Sequence, residues 1–231
     1  MTIKIITAFP GLFCDWVSTS IVSRAQQKGL VSVRIIDLRS YAMGKHRQID
    51  DEAYGGGGMV MQVAPIVRSI RDNTDRDSLV CLLTPQGSLW TQQRAKEFAK
   101  TAQDKNVILI SGRYEGVDAR IENFVDEFIS IGDYVVTGGE LPSMIVAETI
   151  IRLVPGVINE KSLTSESFND GLLDYSVYTK PQVFEGFCVP EVYLSGNHRS
   201  IEQFRFNSRL KNTQKHRPDL YQKYLDSKCK K

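Results

Sequence analysis

The apolar positions of the chain fall into short runs that alternate with longer amphipathic stretches. Ile3 to Phe9 predicts a first strand, Leu12 to Lys28 a helix and Ser32 to Leu38 a second strand. A glycine-rich loop, Tyr54 to Met59, precedes a helix from Pro65 to about Asn73. A third strand, Leu79 to Leu83, ends at Thr84-Pro85-Gln86-Gly87, and Thr91 is a good N-cap for a helix reaching Lys100. The densest stretch is Asn106 to Pro155. Within it Val107-Ile108-Leu109-Ile110 is a continuous aliphatic run, the kind that is buried on both faces of a parallel sheet. That run breaks at Ser111-Gly112-Arg113-Tyr114-Glu115-Gly116. The next, Phe128-Ile129-Ser130-Ile131, breaks at Gly132-Asp133-Tyr134 and again at Gly138-Gly139, after which Pro142 opens a helix to Leu153. Strands alternating with helices predict an α/β fold, a parallel sheet covered on both faces.

From Asn159 to Tyr178 the pattern dissolves into a polar, turn-rich stretch that reads as a linker. It divides an α/β domain, 1–158, from a smaller domain, 179–231. Gly196 to Lys228 reads as helical, with Asn197 as cap, Ile201 and Phe204 on one face, and Pro218 starting a last short helix.

Composition narrows the class. The chain is 42% hydrophobic and 24% charged over 231 residues, ordinary for a soluble globular protein. Its first residues lack a small-residue cleavage site, and no run approaches the roughly 18 apolar residues of a membrane helix, so the expected location is cytoplasmic. Cys14, Cys81, Cys188 and Cys229 are far apart, and only His46, His198 and His216 are available to join them, so neither a disulfide framework nor a bound metal is expected. Charge is uneven. Pro190 to Lys231 carries ten Lys and Arg against four Asp and Glu, a net of +6, while the rest of the chain nets −4. Such a basic end fits a polyanion, most simply nucleic acid, or a solvated helix face.

Candidate chemistry sits at the carboxyl ends of the strands, where open α/β sheets bind ligands. Glycines there let a backbone approach a ligand, and Arg113, Tyr114, Glu115, Asp133 and Tyr134 beside them exceed what a purely structural turn requires. Known phosphate-binding loops do not match. The chain has no G-x-x-x-x-G-K-[ST], and Gly55-Gly56-Gly57-Gly58 follows no predicted strand and comes after Asp50-Asp51-Glu52, which would repel phosphate. That run reads as a loop closing over a less anionic ligand, or as a simple flexible one.

Taken in order, several segments resemble the bacterial tRNA (guanine-N1)-methyltransferases, the TrmD family of the SPOUT methyltransferases. They are Thr84-Pro85-Gln86-Gly87, Gly112-Arg113-Tyr114-Glu115-Gly116, Ser130-Ile131-Gly132-Asp133-Tyr134, Thr137-Gly138-Gly139-Glu140-Leu141-Pro142, Ser167-Phe168, Gly171-Leu172-Leu173-Asp174, Tyr178-Thr179-Lys180-Pro181 and Leu194-Ser195-Gly196-Asn197-His198. The resemblance covers essentially the whole chain. It implies a SPOUT-type parallel sheet with a deep trefoil knot, a small helical C-terminal domain that binds tRNA, and a homodimer with active sites at the subunit interface. It also implies S-adenosyl-L-methionine as methyl donor, held by Pro85, Gln86, Gly87, Gly112, Tyr114, Glu115, Ile131, Gly132, Asp133, Tyr134, Val135, Val136, Gly138, Gly139 and Pro142.

The acceptor implied by that resemblance is N1 of the guanosine at tRNA position 37, next to the anticodon. Methyl transfer from a sulfonium is an in-line displacement, so the enzyme has to align two atoms and manage the N1 proton. A carboxylate removes that proton, and a cation near O6 stabilises the charge left behind. By the same resemblance Arg152, before Pro155-Gly156, takes the O6 role, and Glu166 stands where the family usually has the aspartate of Asp-Ser-Phe. Asp170 and Asp174 are the competing candidates for the base, and Asp174 is the closer match to the family. Tyr54, Gly55, Gly56, His198, Arg205, Arg209 and Lys215 are the candidates for contact with tRNA. The glycine loop, Tyr54 to Met59, is one residue shorter than the family's. A knotted RNA-binding protein without catalysis, or an enzyme acting on another RNA position, are the alternatives.

Overall fold

The structure, a computed structural model, describes residues 1–103, 105–159, 163 and 166–229. Residues 160–162 and 164–165 of the expected linker and 230–231 of the expected C-terminal domain lie outside the described residues. The chain divides into two compact units, Met1–Asn159 and Glu160–Lys231.

In the first unit the order is β1 (Thr2–Thr7), α1 (Cys14–Ser18), α2 (Ser20–Gln27), β2 (Ser32–Asp37), β3 (Asp50–Glu52), β4 (Met59–Met61), α3 (Val63–Asn73), β5 (Leu79–Leu89), α4 (Gln92–Thr101), β6 (Asn106–Ser111), β7 (Glu127–Ser130) and α5 (Glu140–Ile151). Five strands form a sheet in the order β2-β1-β6-β5-β7, every pair parallel. The central strand β6 accounts for the uninterrupted apolar run. Val107 and Leu109 join Ile3, Ile5, Cys81 and Leu83 against Val22, Ala95, Phe98, Val146 and Ile150 of α2, α4 and α5. Ile108 and Ile110 face the other way, with Ile6, Val80 and Leu82, against Ile66, Val67 and Ile70 of α3. With side chains alternating between faces, a strand covered by helices on both must be apolar at every position.

Three elements depart from the pattern-based expectation. The helix expected over Leu12 to Lys28 is broken. A 3-10 turn, Pro10–Phe13, leads into α1, then Thr19 is extended and Ser20, the first residue of α2, has φ 54°. Ser18 Oγ bonds back to the carbonyls of Cys14 and Asp15 at 2.8 and 3.2 Å, a local alternative to helix continuation. Strand β5 does not end at Leu83. Both Leu83 and Ser88 pair with Ile129, so Thr84–Gly87 is an excursion from a strand that resumes beyond it. The glycine run tips a hairpin whose arms are β3 and β4. Asp-Asp-Glu has poor strand propensity, and pairing with the apolar β4 overrides it.

The described residues of the second unit include a small hairpin, β8 (Val183–Phe184) with β9 (Phe187–Cys188), and the helices α6 (His198–His216) and α7 (Pro218–Cys229). Asn197 caps α6 by accepting from Ser200 N–H at 3.2 Å. From Glu166 onward, the stretch expected as a linker is tied to α6. Leu172 is fully buried, Leu173 N–H donates to Thr213 Oγ1 at 2.9 Å, Ser176 N–H donates to Ser208 Oγ at 3.0 Å, and Asn212 Nδ2 donates to the Asp174 carbonyl at 2.9 Å. Among the described residues no helix is long and apolar enough to cross a membrane.

Arg209 of α6 pairs with Asp170 through both terminal guanidinium nitrogens, and its Nε donates to the Leu173 carbonyl at 3.2 Å. Burial by itself would raise the Asp170 carboxyl, but hydrogen bonds and charge from Arg209 outweigh it and the pKa is lowered. A carboxyl with a depressed folded pKa contributes stability that is complete above its unfolded value, about 3.9, and is lost as pH falls through the folded value. Arg209→Met is therefore expected to lower the melting temperature at pH 7, with the gap to the parent narrowing below about pH 4. Thermal melts across that range check it; a gap that is constant with pH would contradict the pairing.

Candidate active site

The loops that follow β6 and β7 and the Thr84–Gly87 excursion of β5 open at one edge of the sheet onto a cleft of about 460 Å³. That volume suits a small molecule. Every residue named above as a cofactor contact lines it except Gly87 and Asp133, and Arg113, Thr84 and Thr137 line it as well. Gly87 has a different task. A Cβ there would lie 2.4 Å from the Ile129 backbone nitrogen, so glycine is what lets the excursion rejoin β7.

Two loops touch backbone to backbone. Gly139 N–H donates to the Gly112 carbonyl at 2.7 Å, and a Cβ on Gly139 would meet Gly112 N at 2.6 Å and Ser111 Cα at 2.7 Å. Beneath them, Ser111 and Ser143 share a buried hydroxyl contact at 2.8 Å. The glycine hairpin is stitched to the same place, since Glu115 N–H donates to the Met59 carbonyl at 3.1 Å and Met61 N–H to the Gly116 carbonyl at 2.9 Å. At its tip Gly55 to Gly58 all have positive φ, and Tyr54 is fully exposed.

With this geometry in hand, the comparisons with known proteins decide the family. A model described as tRNA (Guanine-1)-methyltransferase TrmD matches residues 1–223. The chain belongs to that family. A Ureaplasma urealyticum protein named tRNA (guanine-N(1)-)-methyltransferase is 50% identical over 229 residues, covering 99% of this chain and all of that one. Proteins of the same name from Lachnospira eligens and Dictyoglomus turgidum are each 47% identical, covering 97% and 96% of this chain and 97% and 91% of their own. Family membership fixes the enzyme class, an S-adenosylmethionine-dependent tRNA (guanine-N1)-methyltransferase.

The other residues carried over from the family lie away from the cleft lining or in the second unit. Arg152 caps the carboxyl end of α5, its N–H donating to the Glu148 carbonyl at 3.1 Å. At about 1.5 Å per residue it lies roughly 20 Å along the helix from Gly139. In the second unit Glu166 begins a tight turn. Its carbonyl accepts from Asn169 N–H at 3.3 Å, Phe168 N–H donates to the Leu172 carbonyl at 2.8 Å, and Asp174 N–H donates to Ser167 Oγ at 2.9 Å. Of the basic candidates on α6, His198 and Lys215 are exposed, whereas Arg205 and Arg209 are engaged within the unit. The Arg205 guanidinium lies 4.7 Å from the Tyr175 ring centre and 5.9 Å from that of Tyr193. Lys211 is an exposed cation of the same helix that the candidate set lacks.

Pattern reading also passed over Thr7, Arg113 and Glu140 as a group. A signal was present at Glu140 alone, without its partners. Glu140 is an acidic residue opening a mostly apolar helix, ELPSMIVAETII, and a charge buried in such a setting needs a partner.

Because the Gly139 contact is with backbone and the Gly112 environment is open, with a Cβ meeting only Val117 Cγ2 at 3.4 Å and the Leu83 carbonyl at 3.5 Å, the two alanine variants are expected to differ. Gly139→Ala should lose about 1–3 kcal/mol or more to overpacking, and Gly112→Ala should stay near the parent. Urea denaturation of both checks it; equal stabilities would contradict the close crossing.

Proposed function

We propose that the cleft holds S-adenosyl-L-methionine and that the chain transfers its methyl group to N1 of the guanosine at position 37 of tRNA, next to the anticodon. The observation that carries this is the meeting of the Thr84–Gln86, Gly112–Glu115 and Ile131–Gly139 segments around one cleft. The lining suits the donor: Ile131, Val135, Val136 and Pro142 offer apolar surface to a flat base, while Gln86, Thr137 and exposed main chain offer polar contacts to a ribose and an amino acid. When bound, the donor supplies a methyl already activated on a sulfonium.

The protein's own residues then have two tasks. One is alignment of N1 with that methyl, which requires the base to leave its stack, something an anticodon loop permits. The other is the proton. Glu166 removes it from N1, Arg152 stabilises the charge developing on O6, and Asp174 holds the Glu166 turn through its main chain. The position of Arg152 at the far end of α5 supports a homodimer in which each active site at the interface draws on both copies. The crossing of Gly139 over Gly112 supports the deep trefoil knot, with 179–231 as the tRNA-binding domain. On α6 the exposed His198, Arg199, Lys211, Lys215 and His216 are available to phosphate. Tyr54, Gly55 and Gly56 at the hairpin tip meet the RNA near the cleft, and the enzyme works in the cytoplasm.

Methyl transfer to tRNA transcripts with guanosine or adenosine at position 37 tests the reaction. Label is expected in the first only, as 1-methylguanosine, and label at another position would overturn the site assignment. In single turnover Glu166→Gln should be slower by about 10² to 10⁴ with S-adenosylmethionine binding kept, and Glu166→Asp only mildly slower. Should Asp174→Asn lose the rate while Glu166→Gln retains it, the proton belongs to Asp174.

A further inference from the structure

Glu140 is 1% exposed and does not line the cleft, yet its carboxylate links side chains from three segments, its own helix start, the end of β1 and the loop after β6. Oε1 accepts from Thr7 Oγ1 at 3.0 Å, at the end of β1. Oε2 lies 2.9 Å from Arg113 Nε, in the loop after β6. That second contact is a close ion pair rather than an aligned hydrogen bond, so charge and not directionality holds it.

The same atoms tie down their neighbours. Thr7 Oγ1 accepts from Phe9 N–H at 3.0 Å, and the Phe9 ring lies under the Arg113 guanidinium, 4.4 Å from its carbon. Arg113 Nη1 reaches the Thr137 carbonyl at 3.4 Å, and a Cβ on Gly138 would meet Arg113 Nε at 2.3 Å. Arg113 is thus wedged between the aromatic ring, the buried carboxylate and the Gly138 backbone. It is also part of the cleft wall. Placing an ionised carboxylate in the interior is costly unless a cation and hydrogen bonds compensate it, and here the cation comes from the 112–115 loop of the cleft wall and the hydrogen bond from Thr7 at the end of β1.

We infer that Glu140 is a positioning residue for the methyl-transfer reaction: through Arg113 and Thr7 it fixes the spacing of the 112–115 and 137–139 loops, and so the affinity for the methyl donor. The inference rests on the reading of the cleft as the S-adenosylmethionine site. A general stabilising role would weaken the whole molecule; a positioning role weakens donor binding and leaves the KM for tRNA in place.

Calorimetry of S-adenosylmethionine binding to the full chain, with circular dichroism to confirm folding, separates the possibilities. Glu140→Gln keeps the shape and removes the charge, and it should raise the donor Kd about 10- to 100-fold, the loss typical when a supporting contact behind a binding group is removed. Arg113→Gln should do the same. The double variant should be no worse than the weaker-binding single, because the pair acts as one unit, and Glu140→Asp should recover part of the loss. Should Glu140→Gln not fold, Thr7→Val, which removes only the hydroxyl, decides alone and should shift Kd in the same direction. Parent affinity in the deciding variant, additive losses in the double variant, or a KM for tRNA that rises in step would overturn the positioning role. A parent chain that binds no S-adenosylmethionine would overturn the reading of the cleft and this inference with it.

Discussion

The first unit depends on one close crossing, where the backbone entering α5 passes against the end of β6. Gly139 N–H meets the Gly112 carbonyl at 2.7 Å, and no side chain fits between Gly139 and Ser111. This contact brings a loop from the edge strand β7 beside a loop from the central strand β6, although β5 lies between those strands. The cleft exists because of that juxtaposition. The buried hydroxyl pair of Ser111 and Ser143 lies below it, and the Glu140 carboxylate holds Arg113 beside it.

The alternation of strands and helices was legible because a strand buried on both faces must be apolar throughout, and Val107 to Ile110 obeys that rule. The cleft was legible for a related reason. Turns at strand ends with two or three glycines, flanked by arginine, tyrosine and glutamate, are not what a turn alone requires, and the residues singled out on that ground line one cleft, Asp133 excepted. Local chemistry leaves traces in local sequence.

What was not legible depended on contacts distant in sequence. Thr7 and Glu140 are 133 residues apart, and nothing in either segment signals the other. Arg205 and Arg209 read as members of a basic face, yet Tyr175 and Asp170 draw them into the fold of the second unit. A charge count has no access to such pairing. The hairpin arm Asp50-Asp51-Glu52 is a strand only because Met59-Val60-Met61 lies alongside, so propensity pointed elsewhere. The break at Ser18 to Ser20 has the same character on a smaller scale, a side chain competing for carbonyls within an amphipathic run.

Hydrogen–deuterium exchange of the full chain, with and without S-adenosylmethionine, measures most directly whether these loops are the donor site. Protection should rise on binding in 84–87, 112–116 and 131–139 together, because the crossing at Gly139 couples the last two. Protection confined to other segments, or absent from all three under saturating donor, would contradict the assignment of the cleft.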